Sequence, residues 1–179
     1  MIRHHGIMPI TPDTKDWTWV IERPCPECGF DASTFDEHAV AAALRENAAA
    51  WSTVLLRTGL TRRPDESTWS PLEYAAHVRD VFRLYHHRVE LMLEEDDPLY
   101  PNWDQDAAAV EQHYNEQDPD AVGRELVGEA AALADVFDAV PAENWSRTGR
   151  RSDGARFTIA TLSRYLLHDV EHHRWDVRG

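Results

Sequence analysis

Lysine is nearly missing from this chain: Lys15 is the only one in 179 residues, so arginine carries almost all of the positive charge. Eighteen basic residues face 32 acidic ones, a formal net charge of -14. That shortage of positive charge argues against nonspecific binding to nucleic acid or to an anionic membrane surface. Two cysteines, Cys25 and Cys28, are too few for a disulfide scaffold. No apolar run approaches the roughly 20 residues that span a bilayer. The first nine residues hold no apolar stretch resembling a signal peptide. These absences together lead us to expect a cytoplasmic protein that acts on neither nucleic acid nor membrane.

What is present is the patterning of a globular helical protein. A 42% hydrophobic content over this length suits one domain with a sizeable core. Prolines at positions 9, 12, 24 and 26 break any helix in residues 1–32, which read as an irregular arm. Its Trp17 and Trp19 suggest that it packs on the body, and residues 16–21 alternate as a short extended piece would. Residues 33–179 read as the bundle domain. A first helix is expected from about Ser33 or Thr34 to Leu60, with Leu44, Ala48, Trp51, Val54 and Leu55 on its apolar stripe. Ser70-Pro71-Leu72-Glu73 combines an N-cap serine, a proline at the first helical position and a glutamate that can reach back, which starts a helix expected to reach about Glu94. A shorter helix is expected over 106–117. Asp118-Pro119 starts another that ends before Pro141, and a last one begins near Thr158. Ser152-Asp153-Gly154 within a polar run marks a tight turn, or a small hairpin. The fold class expected from these elements is an all-α four-helix bundle carrying an irregular N-terminal arm.

His168 and His172 lie four apart in the last helix, on one face and one turn from each other, the spacing that lets two imidazoles share an ion. His77 belongs to the second helix, with apolar residues one turn to either side. Three neutral imidazoles around one divalent ion would leave a coordination position open, as catalytic sites do. The other seven histidines read as surface or packing residues. His173 sits five residues from His168, a poor spacing for sharing an ion with it. Asp169 and Glu171 flank the pair but point to other helix faces, so no general base stands out. Cys25-Pro26-Glu27-Cys28-Gly29 looks like half of a zinc knuckle. It needs two further ligands, for which His4, His5 or His38 are the candidates, and free thiols in a local turn are the simpler reading.

Trp69-Ser70-Pro71-Leu72-Glu73-Tyr74-Ala75-Ala76-His77, followed late in the chain by Tyr165-Leu166-Leu167-His168-Asp169-Val170-Glu171-His172-His173, resembles the DinB-like superfamily of metal-binding four-helix bundles. That group is related to the bacillithiol transferases and to the metal-binding domain of mycothiol-dependent maleylpyruvate isomerase. The resemblance covers roughly residues 35–176 by element order. It implies a divalent metal, zinc first and nickel or iron as alternatives, held by His77, His168 and His172, and often a homodimer. It also implies thiol-dependent chemistry: a metal-dependent S-transferase that joins a low-molecular-weight thiol to an electrophilic substrate. The alternatives are a metal-dependent hydrolase and a non-catalytic metal-binding bundle. No linked domain of the isomerase type is present in the sequence, which speaks against isomerase activity. Arg147, Arg150, Arg151 and Arg156 could grip an anionic group of the thiol, or could simply pair with the acidic surface.

Overall fold

Five α-helices arise where the caps and apolar stripes demand them. The computed structural model describes residues 10–11 and 15–179. Helix α1 spans Val40–Val54, α2 Pro71–Glu94, α3 Gln105–Glu111, α4 Pro119–Asp138 and α5 Ile159–Asp176. The Ser70 hydroxyl accepts from the Glu73 amide while the Glu73 carboxylate accepts from the Ser70 amide, a complete capping box at the start of α2. Thr158 and Thr161 do the same for α5, and Asp118 caps α4 ahead of Pro119.

Helices α1 and α2 each pack on both α4 and α5. Helix α1 therefore sits diagonally from α2, and α4 from α5, while α2 and α4 share the largest interface. The core between them holds Leu44, Trp51, Phe82, Met92, Leu126, Leu133 and Leu166, all essentially buried. Each such residue removes apolar surface worth about 1.5–3 kcal/mol. Asn47 ties α1 to α5 from inside the core: its amide donates to the Val170 carbonyl at 3.0 Å and to Glu171 at 2.9 Å, and its own oxygen accepts from Trp51. The α2–α5 interface sets His77 against the polar stripe of the last helix.

A small three-stranded sheet caps this assembly. Strand β2 (Thr148–Arg151) pairs antiparallel with β3 (Arg156–Thr158) and parallel with β1 (Leu99–Tyr100). Gly149 lets this sheet approach α2: a Cβ there would lie 2.8 Å from Met92 and 2.9 Å from Tyr100. The hairpin expected around Ser152-Asp153-Gly154 is present, with Gly154 at φ +99°.

Three expectations need correction. The helix expected over 106–117 ends at Glu111, because His113 turns left-handed at φ +52° and Tyr114–Glu116 forms a separate 3₁₀ turn. Residues Thr18–Ile21 form a 3₁₀ turn, not an extended piece, because Asp16 accepts from both the amide and the hydroxyl of Thr18 and curls the chain. The first helix is shorter than its apolar stripe suggests. Asp31 and Asp36 cap separate 3₁₀ turns, Ala32–Thr34 and Glu37–Ala39, with extended Phe35 between them. The helix ends at Val54, before exposed Leu56 and before Gly59, which adopts φ +77°.

Candidate metal centre

Helix α5 advances by about 100° per residue, so neighbouring residues face different parts of the molecule while residues four apart share a stripe. His168 and His172 form one stripe and face the N-terminal arm. Asp169 and His173 form the next and face α2. The ligand atoms accordingly fall into two groups, each with every atom within 4.8 Å of the others: His77, Asp169 and His173 in one, and Cys25, Cys28, His168 and His172 in the other. His77, His168 and His172, associated from the sequence, are thus divided between the two. The groups adjoin one another: the His172 and His173 rings are 6.1 Å apart, and those of His77 and His173 are 4.7 Å apart.

In the first group, His77 is fully buried and neither ring nitrogen has a hydrogen-bond partner. It stacks flat against Trp103 at 5.3 Å and leans on Trp69 at 5.0 Å. An unsatisfied buried polar group costs about 1–3 kcal/mol, and a cation would remove that cost for the coordinating nitrogen. His77 Nε2 lies 3.8 Å from Asp169 Oδ1, which in turn lies 3.0 Å from His173 Nε2. The other nitrogen of His173 is 3.0 Å from Asp176. A carboxylate behind a histidine fixes its tautomer and aims the free nitrogen, the arrangement that supports metal-binding imidazoles. The residues therefore fit a divalent cation: two imidazoles, one carboxylate and a supporting carboxylate.

The electrostatics agree. Burial pushes His77 below the ordinary histidine range and keeps it neutral. Burial also disfavours charge on His173, but contacts with Asp169 and Asp176 outweigh it and hold the imidazolium up to about 9. Burial disfavours the Asp169 carboxylate too, yet His173 and His77 keep its carboxyl well below the usual range. The site thus holds a proton where a cation could replace it.

Two cavities meet at Asp169. One, of about 280 Å³, reaches His168, His172, His173, Trp69 and Tyr74. The other, of about 950 Å³, is walled by Trp17, Trp19, Trp103 and Tyr165, with Arg88 and Arg151 beside them. Arg88 is buried and donates to the Pro101 carbonyl at 3.0 Å, its guanidinium lies 4.9 Å from the Tyr100 ring centre, and its Nε has no partner. No ion pair to Arg88 occurs among the described residues. The four arginines singled out in the sequence do pair with acids: Arg147 with Asp96, Arg150 and Arg156 with Asp97, and Arg151 with Asp153. Arg88, which sequence reasoning passed over, is the cleft arginine with charge to spare.

The second group also departs from expectation. Cys25 and Cys28 find their companions in His168 and His172. His38 packs edge-on against Trp145 instead, and His4 and His5 lie outside the described residues. Asp169 and His173 were legible by the same i, i+4 rule that singled out His168 and His172, applied one residue later. Nothing in the sequence said which of the two stripes faces α2.

A family model described as the DinB superfamily matches residues 42–177. No curated protein matches the chain. Among solved structures the fold is similar to YfiT from Bacillus subtilis, with a TM-score of 0.69 and 17% sequence identity, covering 77% of this chain and 82% of that one. YfiT is described as a probable metal-dependent hydrolase with an unusual four-helix bundle topology. The extent of the family match, over all of α2 through α5 and nearly all of α1, decides the assignment: this chain belongs to the DinB superfamily.

Proposed function

We propose that the protein is a metal-dependent S-transferase, with His77, Asp169 and His173 holding a divalent ion beside a cleft that takes a small anionic thiol. The observation that carries this reading is the pairing of that ligand set with Arg88, a buried arginine without an acidic partner in the adjoining cleft. When bound, the ion would supply an open position that lowers the pKa of a thiol placed there. Asp176 holds His173 in the ligating tautomer, and Trp69 and Trp103 fix the His77 ring. Arg88 would bind a carboxylate of the thiol, and the aromatic walls would limit water around the sulfur. The sulfur would then attack an electrophilic carbon of a second substrate. A carbon–sulfur bond forms, the leaving group departs with its electron pair, and the thiol proton passes to solvent. Zinc suits the two-nitrogen, one-oxygen donor set, as do nickel and iron.

Hydrolysis is the second reading. Two imidazoles and a carboxylate form a donor set used by metal hydrolases, and YfiT is described as a probable one. Asp106, which lines both cavities, is then the candidate general base. The two readings separate in one assay series. Metal-loaded protein is given a haloaromatic electrophile with cysteine, with uncharged 2-mercaptoethanol, or with no thiol, and in parallel an activated ester. S-transfer predicts thiol-dependent product, and a higher KM in Arg88→Met for cysteine but not for mercaptoethanol. Ester cleavage that ignores thiol and collapses in Asp106→Asn would establish the hydrolase instead. Thiol binding without turnover of any electrophile would leave a binding protein.

A further inference from the structure

The Cys-Pro-Glu-Cys-Gly segment lies outside the family match and is not used in the proposed chemistry. We propose that Cys25, Cys28, His168 and His172 form a second metal site, closed and structural, that takes a tetrahedral zinc ion and clamps the N-terminal arm to the last helix. Two thiolates and two imidazoles make a complete zinc set with no position left for substrate. This inference does not depend on the S-transferase reading.

Four observations converge. First, the ligand atoms lie within 4.8 Å of one another. Second, Cys25 Sγ sits 3.7 Å from His172 Nδ1. Ordinary zinc–sulfur and zinc–nitrogen bonds give a sulfur–nitrogen edge of about 3.6 Å in a tetrahedron. Third, His168 is buried and its Nε2 has no hydrogen-bond partner. Fourth, the outer atoms are in place: His172 Nε2 faces Glu27 at 3.7 Å and Asp176 at 3.8 Å, leaving Nδ1 for a cation.

The backbone is shaped for the same task. The Cys25 amide donates to the Phe30 carbonyl, and the Gly29 amide donates to the Cys25 carbonyl, both at 2.9 Å. Gly29 adopts φ +77°, so the chain reverses tightly after Cys28. Trp17 covers the two histidines, with ring centres 5.4 Å from His168 and 5.2 Å from His172. The soft sulfur donors separate this set from the carboxylate-containing one and favour zinc over magnesium or calcium.

The test is metal content and cobalt spectroscopy on untagged full-length protein. Wild type is expected to carry two ions per chain. Cys25→Ser and Cys28→Ser should each keep one ion, and His77→Ala should keep the other. Cobalt-loaded wild type should show a sulfur-to-cobalt charge-transfer band and tetrahedral ligand-field bands, which survive in His77→Ala and vanish in Cys28→Ser. Cys28 is only partly buried, so its serine variant should fold, and the wild-type spectrum tests the site without any substitution. A wild type that carries a single ion, retained unchanged in both cysteine variants, would overturn the proposal. So would thiols that react freely with a thiol reagent in metal-loaded protein, or cysteines isolated as a disulfide with no second ion. A wild type that carries only the cysteine-dependent ion, unchanged in His77→Ala, would strike the S-transferase reading and leave this one standing.

Discussion

Two candidate metal centres share one helix yet differ in almost every property that matters for chemistry. His77, Asp169 and His173 offer three donors and include a carboxylate; Asp169 lines both cavities and His173 the smaller one, with His77 buried behind them. Cys25, Cys28, His168 and His172 offer four donors and include two sulfurs; Trp17 packs on the two histidines, which also line the smaller cavity. An open set can exchange a ligand, whereas a filled set can only hold one, so the first suits catalysis and the second suits joining segments. Four of these seven donors come from two adjacent stripes of α5. A helix therefore needs only one residue of offset to present one candidate centre to α2 and another to the N-terminal arm.

The largest test of this contrast is full chelation. Removing metal from zinc-dependent folds withdraws an apparent binding free energy on the order of 10 kcal/mol. Here the loss should be local: in hydrogen exchange, amides around Cys25–Phe30 should lose protection while those in the middle of α4 keep it. Global unfolding on chelation would mean that the Cys-His set supports the bundle as well as the arm. Next in size, His77→Ala should abolish thiol-dependent turnover and remove one ion per chain, while cobalt absorption from the cysteine set stays unchanged. Equal loss of both ions would show that the two centres are one cooperative unit.

Asp176→Asn should act more gently. It weakens the support behind His173, and such outer partners typically govern about 10–100-fold in metal affinity. Competition with a fluorescent chelator would measure it, with the larger effect expected at the open site because His173 Nδ1 is the closer contact, at 3.0 Å. The smallest effect belongs to Ser70→Ala. Losing this N-cap should cost about 1 kcal/mol in denaturant unfolding and leave two ions per chain, because the cap lies two turns from His77.

The fold was legible to the extent that local chemistry marked it. The capping box at Ser70, Asp118-Pro119 and the apolar stripes gave the starts of α2, α4 and α5 to within a residue. The start of α1 was not legible, since Asp31 and Asp36 can cap a 3₁₀ turn as readily as an α-helix. At the site, His77 stood out by its apolar neighbours and the α5 histidines by their spacing. Asp169 and His173 were passed over because the sequence offers two equally spaced pairs and no measure of which stripe meets α2. Arg88 was passed over because a charged residue on a long helix reads as surface until neighbouring elements bury it.

The sequence by itself determined that this chain would be a helical bundle, that α5 would carry metal-competent stripes, and that Cys25 and Cys28 would sit in one tight turn. Periodicity, caps and turns are local properties, so a sequence carries them openly. Only the tertiary structure decided the grouping of ligands. Packing α2 against α5 joined His77 to Asp169 and His173. Folding the arm back over α5 brought Cys25 within 3.7 Å of His172, a residue 147 positions away. Coordination depends on distances between side chains, and those distances exist only once the helices have chosen their neighbours.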